Sequence, residues 1–195
     1  MVTSGSSTRR RSLTRAKVIN GAMELVDEHG WEELSMSACA ERLGIASASL
    51  YNHVRNLHDL RGALQVAAMT SLGEHLSSVA MGRSGPDGLR ALMDAHRHWA
   101  TTYPRRYQAL TAASPDPESV IAAAMRVNNA VRAMLASCGL RPDETFDAAV
   151  SLFAAMHGFS ALVNTGFIDG GLDQDRIYES VVRGALAGIA ATEPR

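Results

Sequence analysis

The chain has 195 residues, of which 46% are hydrophobic and 20% are charged, and its formal net charge is −1. This apolar fraction excludes a chain that is disordered throughout, and the length allows one domain or two small ones. A charge near zero excludes a protein that coats nucleic acid with its whole surface, but it allows a local basic patch. Alanine is the commonest residue and only 5% of residues are aromatic, which favours helices over a β-sandwich or barrel.

The first residues of the chain are basic. Residues 1–17 contain five positive side chains and no acid, whereas the chain as a whole is slightly negative. Residues 1–12 have no apolar stretch of the kind that a secretory signal requires. We therefore predict a flexible basic arm over 1–12, with a tail that serves only solubility as the alternative.

Hydrophobic periodicity predicts helices along almost the whole chain, and no segment shows the alternation of a strand. Gly30, Gly44 and the loop over 81–88 mark clear helix ends. The prediction is an all-α protein of about nine helices. The expected helices cover about 14–30, 35–44, 47–54, 57–80, 87–103, 104–113, 118–138, 143–166 and 173–191.

Residues 36–54 read MSACAERLGIASASLYNHV, which is the pattern of two short helices that hinge at Gly44. Ala40 is small where two helix backbones must approach, and glycine can adopt the left-handed conformation of a sharp turn. This pattern predicts a helix-turn-helix, whose second helix enters the major groove of DNA, with a plain helical hairpin as the alternative. Small hydroxyl and amide side chains there suit base edges and phosphates.

At this point the sequence resembles a known family. Residues 13–64 are similar to the N-terminal domain of the tetracycline-repressor (TetR) family of bacterial transcription regulators. The matching motifs are His29-Gly30-Trp31, Ser35, Cys39-Ala40, Gly44-Ile45, Leu50-Tyr51-Asn52-His53-Val54 and Asp59-Leu60. The resemblance implies a DNA-binding head over 13–62 and a ligand-binding and dimerisation body over 63–195. The candidate DNA-binding residues are Ser35, Ser47, Ala48, Ser49, Tyr51, Asn52, His53 and Arg55.

Two positions of the head depart from the family pattern. Leu57 stands where the family usually has a lysine that touches phosphate, and we expect Arg55 or His58 to replace that contact. Ala46 stands where the family favours Ser or Thr as the cap of the recognition helix, and we expect Ser47 to cap one residue later.

The predicted helix over 87–103 carries His96 and Trp99 on its apolar stripe. A buried histidine beside aromatic rings is either a polar group of a ligand pocket or a satisfied core residue. A mainly apolar set with few hydrogen-bonding groups favours a hydrophobic or weakly polar ligand over a phosphate or a polycation. The candidate ligand-binding residues are His96, Trp99, Tyr103, Tyr107, Met125, Phe153, His157 and Asn164.

The last two predicted helices, 143–166 and 173–191, are apolar on two sides, which indicates burial against a partner as well as against the core. The resemblance implies a homodimer through these helices as a four-helix bundle. A symmetric dimer would place two heads on half-sites of a palindromic operator about 34–36 Å apart.

Residues 148–168 contain no charge and could cross a membrane by length, but the polar Ser151, His157 and Asn164 favour a buried helix of a soluble protein.

The function expected is a ligand-responsive regulator, specifically a repressor that a small effector releases from DNA. By family analogy, helix 57–80 is the lever that joins the head to the body. Activation of transcription instead of repression is an alternative.

The chain shows no zinc-ligand spacing, phosphate-binding loop or nucleophile motif, so we expect no enzyme, metal or cofactor. Cys39 and Cys138 are far apart in apolar segments, which predicts reduced thiols in a cytoplasmic protein. A helical small-molecule carrier or interaction module without DNA binding is the alternative function.

Overall fold

The structure is a computed structural model that describes residues 13–190; the predicted basic arm over 1–12 lies outside the described residues, as do 191–195. Within 13–190 the chain forms nine α-helices and no strand, which confirms the all-α prediction. The helices are α1 (Arg15–His29), α2 (Met36–Leu43), α3 (Ser47–Leu50), α4 (Leu57–Ala80), α5 (Gly85–Thr102), α6 (Pro104–Thr111), α7 (Pro117–Ala136), α8 (Thr145–Asn164) and α9 (Gln174–Ala190).

Local sequence signals set the ends of these helices. The hydroxyl of Thr14 accepts a hydrogen bond from the Lys17 N–H at 3.3 Å, and the Asn56 side chain accepts one from the Asp59 N–H at 2.9 Å. Each bond satisfies an N–H group that has no partner inside the first turn of its helix. Gly30 ends α1 with φ +99°, a conformation that glycine adopts without the steric cost of a Cβ.

Helix α4 passes from the head into the body. It has 24 residues and therefore spans about 36 Å. In the body it packs most extensively along α7. A Cβ at Gly73 would lie 2.7 Å from the Val127 side chain, so this glycine allows the two helices to approach closely. The buried side of α4 includes Leu60 and Leu64 near the head and Leu72 and Leu76 in the body.

Helix α8 packs against α5, α7 and α9. By length and composition it could cross a membrane, with a mean hydropathy of 1.5 over an 18-residue window. Core helices of soluble proteins share these properties. However, only 28% of that window is buried, so α8 also presents apolar side chains outward.

Candidate DNA-binding and effector sites

A tight turn at Gly44 joins α2 to α3. Gly44 has φ +63° and ψ +36°, in the left-handed region, and its N–H donates to the Glu41 carbonyl at 3.0 Å. The N–H of Ile45 donates to the Ala40 carbonyl, also at 3.0 Å. Because these bonds close the C-terminal end of α2, α3 leaves the turn in a defined direction.

Ser35 caps the start of α2. Its Oγ accepts a hydrogen bond from the Ala38 N–H at 3.2 Å and lies 3.2 Å from the Ser37 hydroxyl. The side chain is half-buried. Its capping role is therefore structural, and a phosphate contact by the same hydroxyl stays a prediction.

The predicted recognition residues follow this turn and are exposed or half-buried, apart from the core residues between them. Leu50 and Val54 are buried in its core. Helix α3 is regular only to Leu50, instead of extending to residue 54, and hydrogen-bonded turns continue it, with the His53 N–H donating to the Leu50 carbonyl at 2.8 Å. The side chains available on this segment are the exposed Ser47, Ala48, Tyr51 and Asn52 and the half-buried Ser49 and His53.

The expectation that Ser47 caps the recognition helix is wrong. Ala46 occupies the cap position, and no side chain accepts a hydrogen bond from the first turn of α3. The backbone carbonyl of Ala46 instead accepts the Ser49 N–H at 2.8 Å. The Ser47 hydroxyl therefore does not cap α3, and the alanine at position 46 costs the helix a side-chain cap.

The two proposed substitutes for the missing lysine, Arg55 and His58, lie in the loop before α4 and in its first turn. Leu57 is half-buried and packs against the hydrophobic core. His58 Nε2 lies 3.2 Å from the Pro115 carbonyl, so the ring is turned toward the start of α7, and its contact with phosphate stays a prediction. Arg55 keeps 87% of its side chain exposed, and its phosphate contact also stays a prediction.

Sequence reasoning missed a pair that supports this loop. The Arg15 guanidinium on α1 binds both carboxylate oxygens of Asp59 at 3.0 and 3.2 Å, and it donates to the His53 carbonyl at 2.7 Å. Asp59 also accepts the Arg55 N–H at 2.8 Å. The bond from Arg15, followed by that from Arg55, lowers the pKa of Asp59 from 3.8 to about 2. The acidic residue of the motif was visible in the sequence, but its partner 44 positions away was not.

Six of the eight predicted ligand-binding side chains form one aromatic cluster in the body. Tyr107 on α6 lies at its centre, with its hydroxyl 2.7 Å from His157 Nδ1 and 3.4 Å from His96 Nε2. The ring of Phe153 stacks on His157 at a centroid distance of 6.0 Å and meets His96 edge-on at 5.8 Å. The members of the aromatic cluster are His96, Trp99, Tyr103, Tyr107, Phe153 and His157.

The hydrogen bonds of this cluster are incomplete. The Tyr107 hydroxyl has one proton to donate, so it can donate to only one of the two imidazoles and must accept from the other. His96 is 1% exposed, and its Nδ1 has no partner among the described residues. Burial, with a contribution from His157, lowers the pKa of His96 to about 4. Burial also raises the pKa of Tyr107, so both groups are neutral near pH 7.

The structure does not bring Met125 and Asn164 into this cluster. Met125 lies on α7 with 42% of its surface exposed, and Asn164 is exposed at the end of α8. Asn164 follows His157 by seven residues, a distance of about 10.5 Å along a helix. Sequence reasoning left out Ser160 instead, which is buried and partly offsets the rise that burial causes in the pKa of Tyr107. Its position three residues after His157, on the same helix face, was the available signal.

Comparison with known proteins identifies the family of the chain. Residues 18–64 match the family model for bacterial regulatory proteins of the tetR family, and residues 89–185 match a tetracyclin repressor-like C-terminal domain. The chain is 35% identical over 187 residues to an uncharacterized HTH-type transcriptional regulator of Mycobacterium tuberculosis, covering 94% of this chain and 85% of that protein. The chain belongs to the TetR family of transcriptional regulators.

Further relatives agree with this assignment. An HTH-type transcriptional regulator of Saccharopolyspora erythraea is 32% identical over 206 residues, covering 92% of this chain and 86% of that protein. A TetR variant from Acinetobacter baumannii in complex with minocycline has a TM-score of 0.72 at 20% identity, over 94% of this chain and 100% of that one. The TetR family protein ActR of Streptomyces coelicolor in complex with (S)-DNPA has a TM-score of 0.70 at 17% identity, with the same coverage. These two structures share the fold, and the family is a class of transcription regulators rather than of enzymes.

In this TetR-family chain, the outer surface of α8 and α9 is open. An added Cβ at Gly158, Gly184 or Gly188 would meet no atom within 4 Å. Phe146 and Val150 on α8 are 46% and 51% exposed. Exposed apolar side chains next to glycines that carry no side chain allow two further helices to pack closely on this surface.

Proposed function

We propose that this TetR-family regulator is a repressor that binds a palindromic operator as a homodimer and is released by a small, mainly apolar effector. One observation carries the proposal: a single chain combines an exposed helix-turn-helix face with an aromatic cluster that contains a buried imidazole nitrogen without a partner among the described residues. The head over 13–62 and the body over 63–195 divide these two duties. A cytoplasmic location follows from the action on DNA.

The DNA contacts are assigned by exposure. Ser47, Ala48 and Asn52 are exposed on one side of α3 and its following turn, where side chains of a recognition helix meet base edges. Tyr51, 55% exposed, and His53 suit backbone oxygens, and Arg55 suits a phosphate. The basic residues of the arm over 1–12 add charge without sequence specificity.

The outer surface of α8 and α9 supplies the dimer interface of this proposal. Its open glycines and exposed Phe146 and Val150 would be covered by the same surface of a second copy, as an isologous twofold contact requires. The two heads would then face the same side of a duplex at a separation set by the interface.

The aromatic cluster supplies the effector site. Two of its polar groups, His96 and Tyr107, are held neutral near pH 7, because burial lowers the pKa of the imidazole and raises the pKa of the phenol. An effector with one hydrogen-bonding group could satisfy His96 Nδ1 while its apolar part replaces the ring of Phe153, which is 38% exposed. The ligands named for the two structural relatives, minocycline and (S)-DNPA, support a small-molecule site in this fold.

Selection of bound duplexes from a random pool tests the proposal directly. We expect a palindromic sequence with half-sites one helical turn apart, and release of the bound duplex when a library of small apolar compounds is screened. The affinity should fall steeply as salt rises, because bound arginines release counterions from the DNA. A protein that binds apolar compounds but retains no duplex at any salt concentration would instead be a carrier.

Two variants locate the effector site within that assay. Phe153→Ala and His157→Ala should weaken the response to an effector and leave the operator affinity of the free protein unchanged. Ala122→Leu, on the exposed side of α7, is the matched control and should alter neither property. Equal loss of effector response and operator affinity in the two cluster variants would mean that these rings only support packing.

A further inference from the structure

Two histidines on neighbouring helices of the body face each other outside the aromatic cluster. The rings of His75 on α4 and His98 on α5 have centroids 6.1 Å apart and an interplanar angle of 35°. His75 is half-buried and His98 is exposed. Within residues 13–190, neither imidazole has a hydrogen-bond or ion-pair partner. The ring nitrogens of this histidine pair are therefore available to a ligand from solvent.

The charged neighbours of His98 on α5 are already paired. Arg97 donates to Asp175 on α9 at 2.6 Å. Asp94, one turn before His98, lies 3.6 Å from Arg90. Acidic partners thus offset the charges of both arginines of α5, so a cation between the two rings would not meet an unpaired guanidinium on that helix.

The geometry of the histidine pair suits two ligands of one metal ion. Both residues lie inside regular helices that pack on each other, so the separation of their backbones is fixed. Metal–nitrogen bonds of about 2.0–2.1 Å place two coordinating nitrogens within about 4 Å of each other. Rings at the observed separation meet this limit when one nitrogen of each ring turns toward the other. The exposed side chain of His98 is free to make that rotation.

The donor set decides the class of metal. Imidazole nitrogen suits Zn²⁺, Cu²⁺ and Ni²⁺, whereas Mg²⁺ and Ca²⁺ prefer oxygen ligands. No group of three or more His, Cys, Asp or Glu side chains among the described residues could hold a metal ion. The pair would therefore supply two ligands and water the others, unlike a structural zinc site, which takes four protein ligands.

We infer that His75 and His98 form a two-ligand site for a divalent transition-metal ion, which bridges α4 and α5 on the surface of the body. Sequence spacing could not indicate this site, because the two histidines are 23 positions apart. The nearer His96 is buried in the aromatic cluster, on another face of the same helix. An ion held in this way exchanges with solvent and stabilises the contact between the two helices.

Calorimetric titration of the untagged full chain with nickel chloride at about pH 7.5 tests the site. We expect His75→Ala and His98→Ala each to weaken Ni²⁺ binding by roughly ten-fold or more, at least the effect of losing an outer-shell partner of a metal ligand. The double variant should bind no more weakly than either single variant. His29→Ala removes an exposed imidazole of the head and Asp94→Asn removes the carboxylate nearest along α5; both are matched controls and should keep the wild-type affinity.

Thermal unfolding separates a bridge from ions on single imidazoles. A bridging ion binds the folded pair better than the unfolded chain, so Ni²⁺ at ten times its dissociation constant should raise Tm by about 3–6 °C. This rise should vanish in His75→Ala and in His98→Ala. The inference is overturned if either variant keeps the wild-type affinity, if His29→Ala weakens binding equally, or if Ni²⁺ binds without raising Tm. Neither measurement involves DNA or effector, so the outcome is independent of the proposed function.

Discussion

Arg15 on α1 holds both carboxylate oxygens of Asp59 on α4, although the two residues belong to the first and fourth helices of the chain. The same carboxylate accepts the Arg55 N–H at 2.8 Å. One acidic side chain therefore joins α1, the loop after the recognition helix and the start of α4. Because Arg55 is the exposed cation of that loop, Asp59 also sets the backbone position of the residue proposed to contact phosphate.

We predict that Asp59→Asn lowers the free energy of unfolding by about 1–2 kcal/mol near pH 7, between the values for exposed ion pairs and for charge-assisted hydrogen bonds. The pKa of Asp59 lies at about 2 instead of 3.8. Its stabilisation is therefore complete above about pH 4 and is lost as the pH falls through about 2. Urea unfolding of both proteins from pH 7 to 2 should show their difference vanish at acid pH.

Asp143→Asn is the control for that experiment. Asp143 pairs with Arg141 at 3.2 Å, but its side chain is 71% exposed, so its removal should change stability very little. A pH-independent difference for Asp59→Asn would show that the lost contact is packing rather than the charged pair.

Arg55→Ala should weaken operator binding about uniformly across duplex sequences. The substitution removes one phosphate contact, so the slope of log affinity against log salt should become shallower by about one. Fluorescence anisotropy with a labelled duplex at several salt concentrations measures both quantities. Arg141→Ala, which removes an arginine in the loop before α8, should leave the salt slope of the wild type unchanged. If Arg55→Ala also has the wild-type slope, Arg55 does not contact a phosphate.

The buried imidazole of His96 predicts a loss of stability in mild acid. Its folded-state pKa is about 4 against an ordinary value of 6.5, so the unfolded chain binds a proton more readily than the folded one between these values. The free energy of unfolding should fall as the pH drops from about 6.5 to about 4, by at most about 1.4 kcal/mol for each pH unit from this group. Thermal unfolding at several pH values and matched ionic strength measures this loss of stability. His96→Leu should make the stability depend less on pH. Equal slopes for both proteins would contradict a neutral buried His96.

Gly188→Leu should disrupt the proposed dimer without unfolding the chain. A side chain at this position meets no atom of its own chain within 4 Å, so it would project from the outer surface of α8 and α9. Light scattering at micromolar concentration should show monomers for this variant and dimers for the wild type and for Ala122→Leu. A wild-type protein that is monomeric in this measurement would contradict the dimer itself.

Much of the fold could be predicted because its signals are local. The cap at Thr14, the left-handed turn at Gly44 and the apolar stripe around His96 each depend on residues within a few turns of one helix. The sequence likewise indicated the exposed recognition segment around Tyr51. The end of α3 was placed too late, because hydrogen-bonded turns continue the helical path after Leu50 and keep its periodicity.

What the sequence by itself determined was the helical class, the helix-turn-helix and the residues that could form an aromatic cluster. Only the tertiary structure decided that His58 faces Pro115, that Met125 stays outside the cluster, and that Arg106 reaches Asp27 across 79 positions of the chain. The reason is physical: periodicity and capping arise from neighbours along one helix, whereas the partner of a long polar side chain depends on how separate helices pack. A helix of eight residues such as α6 shows in sequence which faces are apolar, but its partners appear only once α1, α4 and α8 surround it.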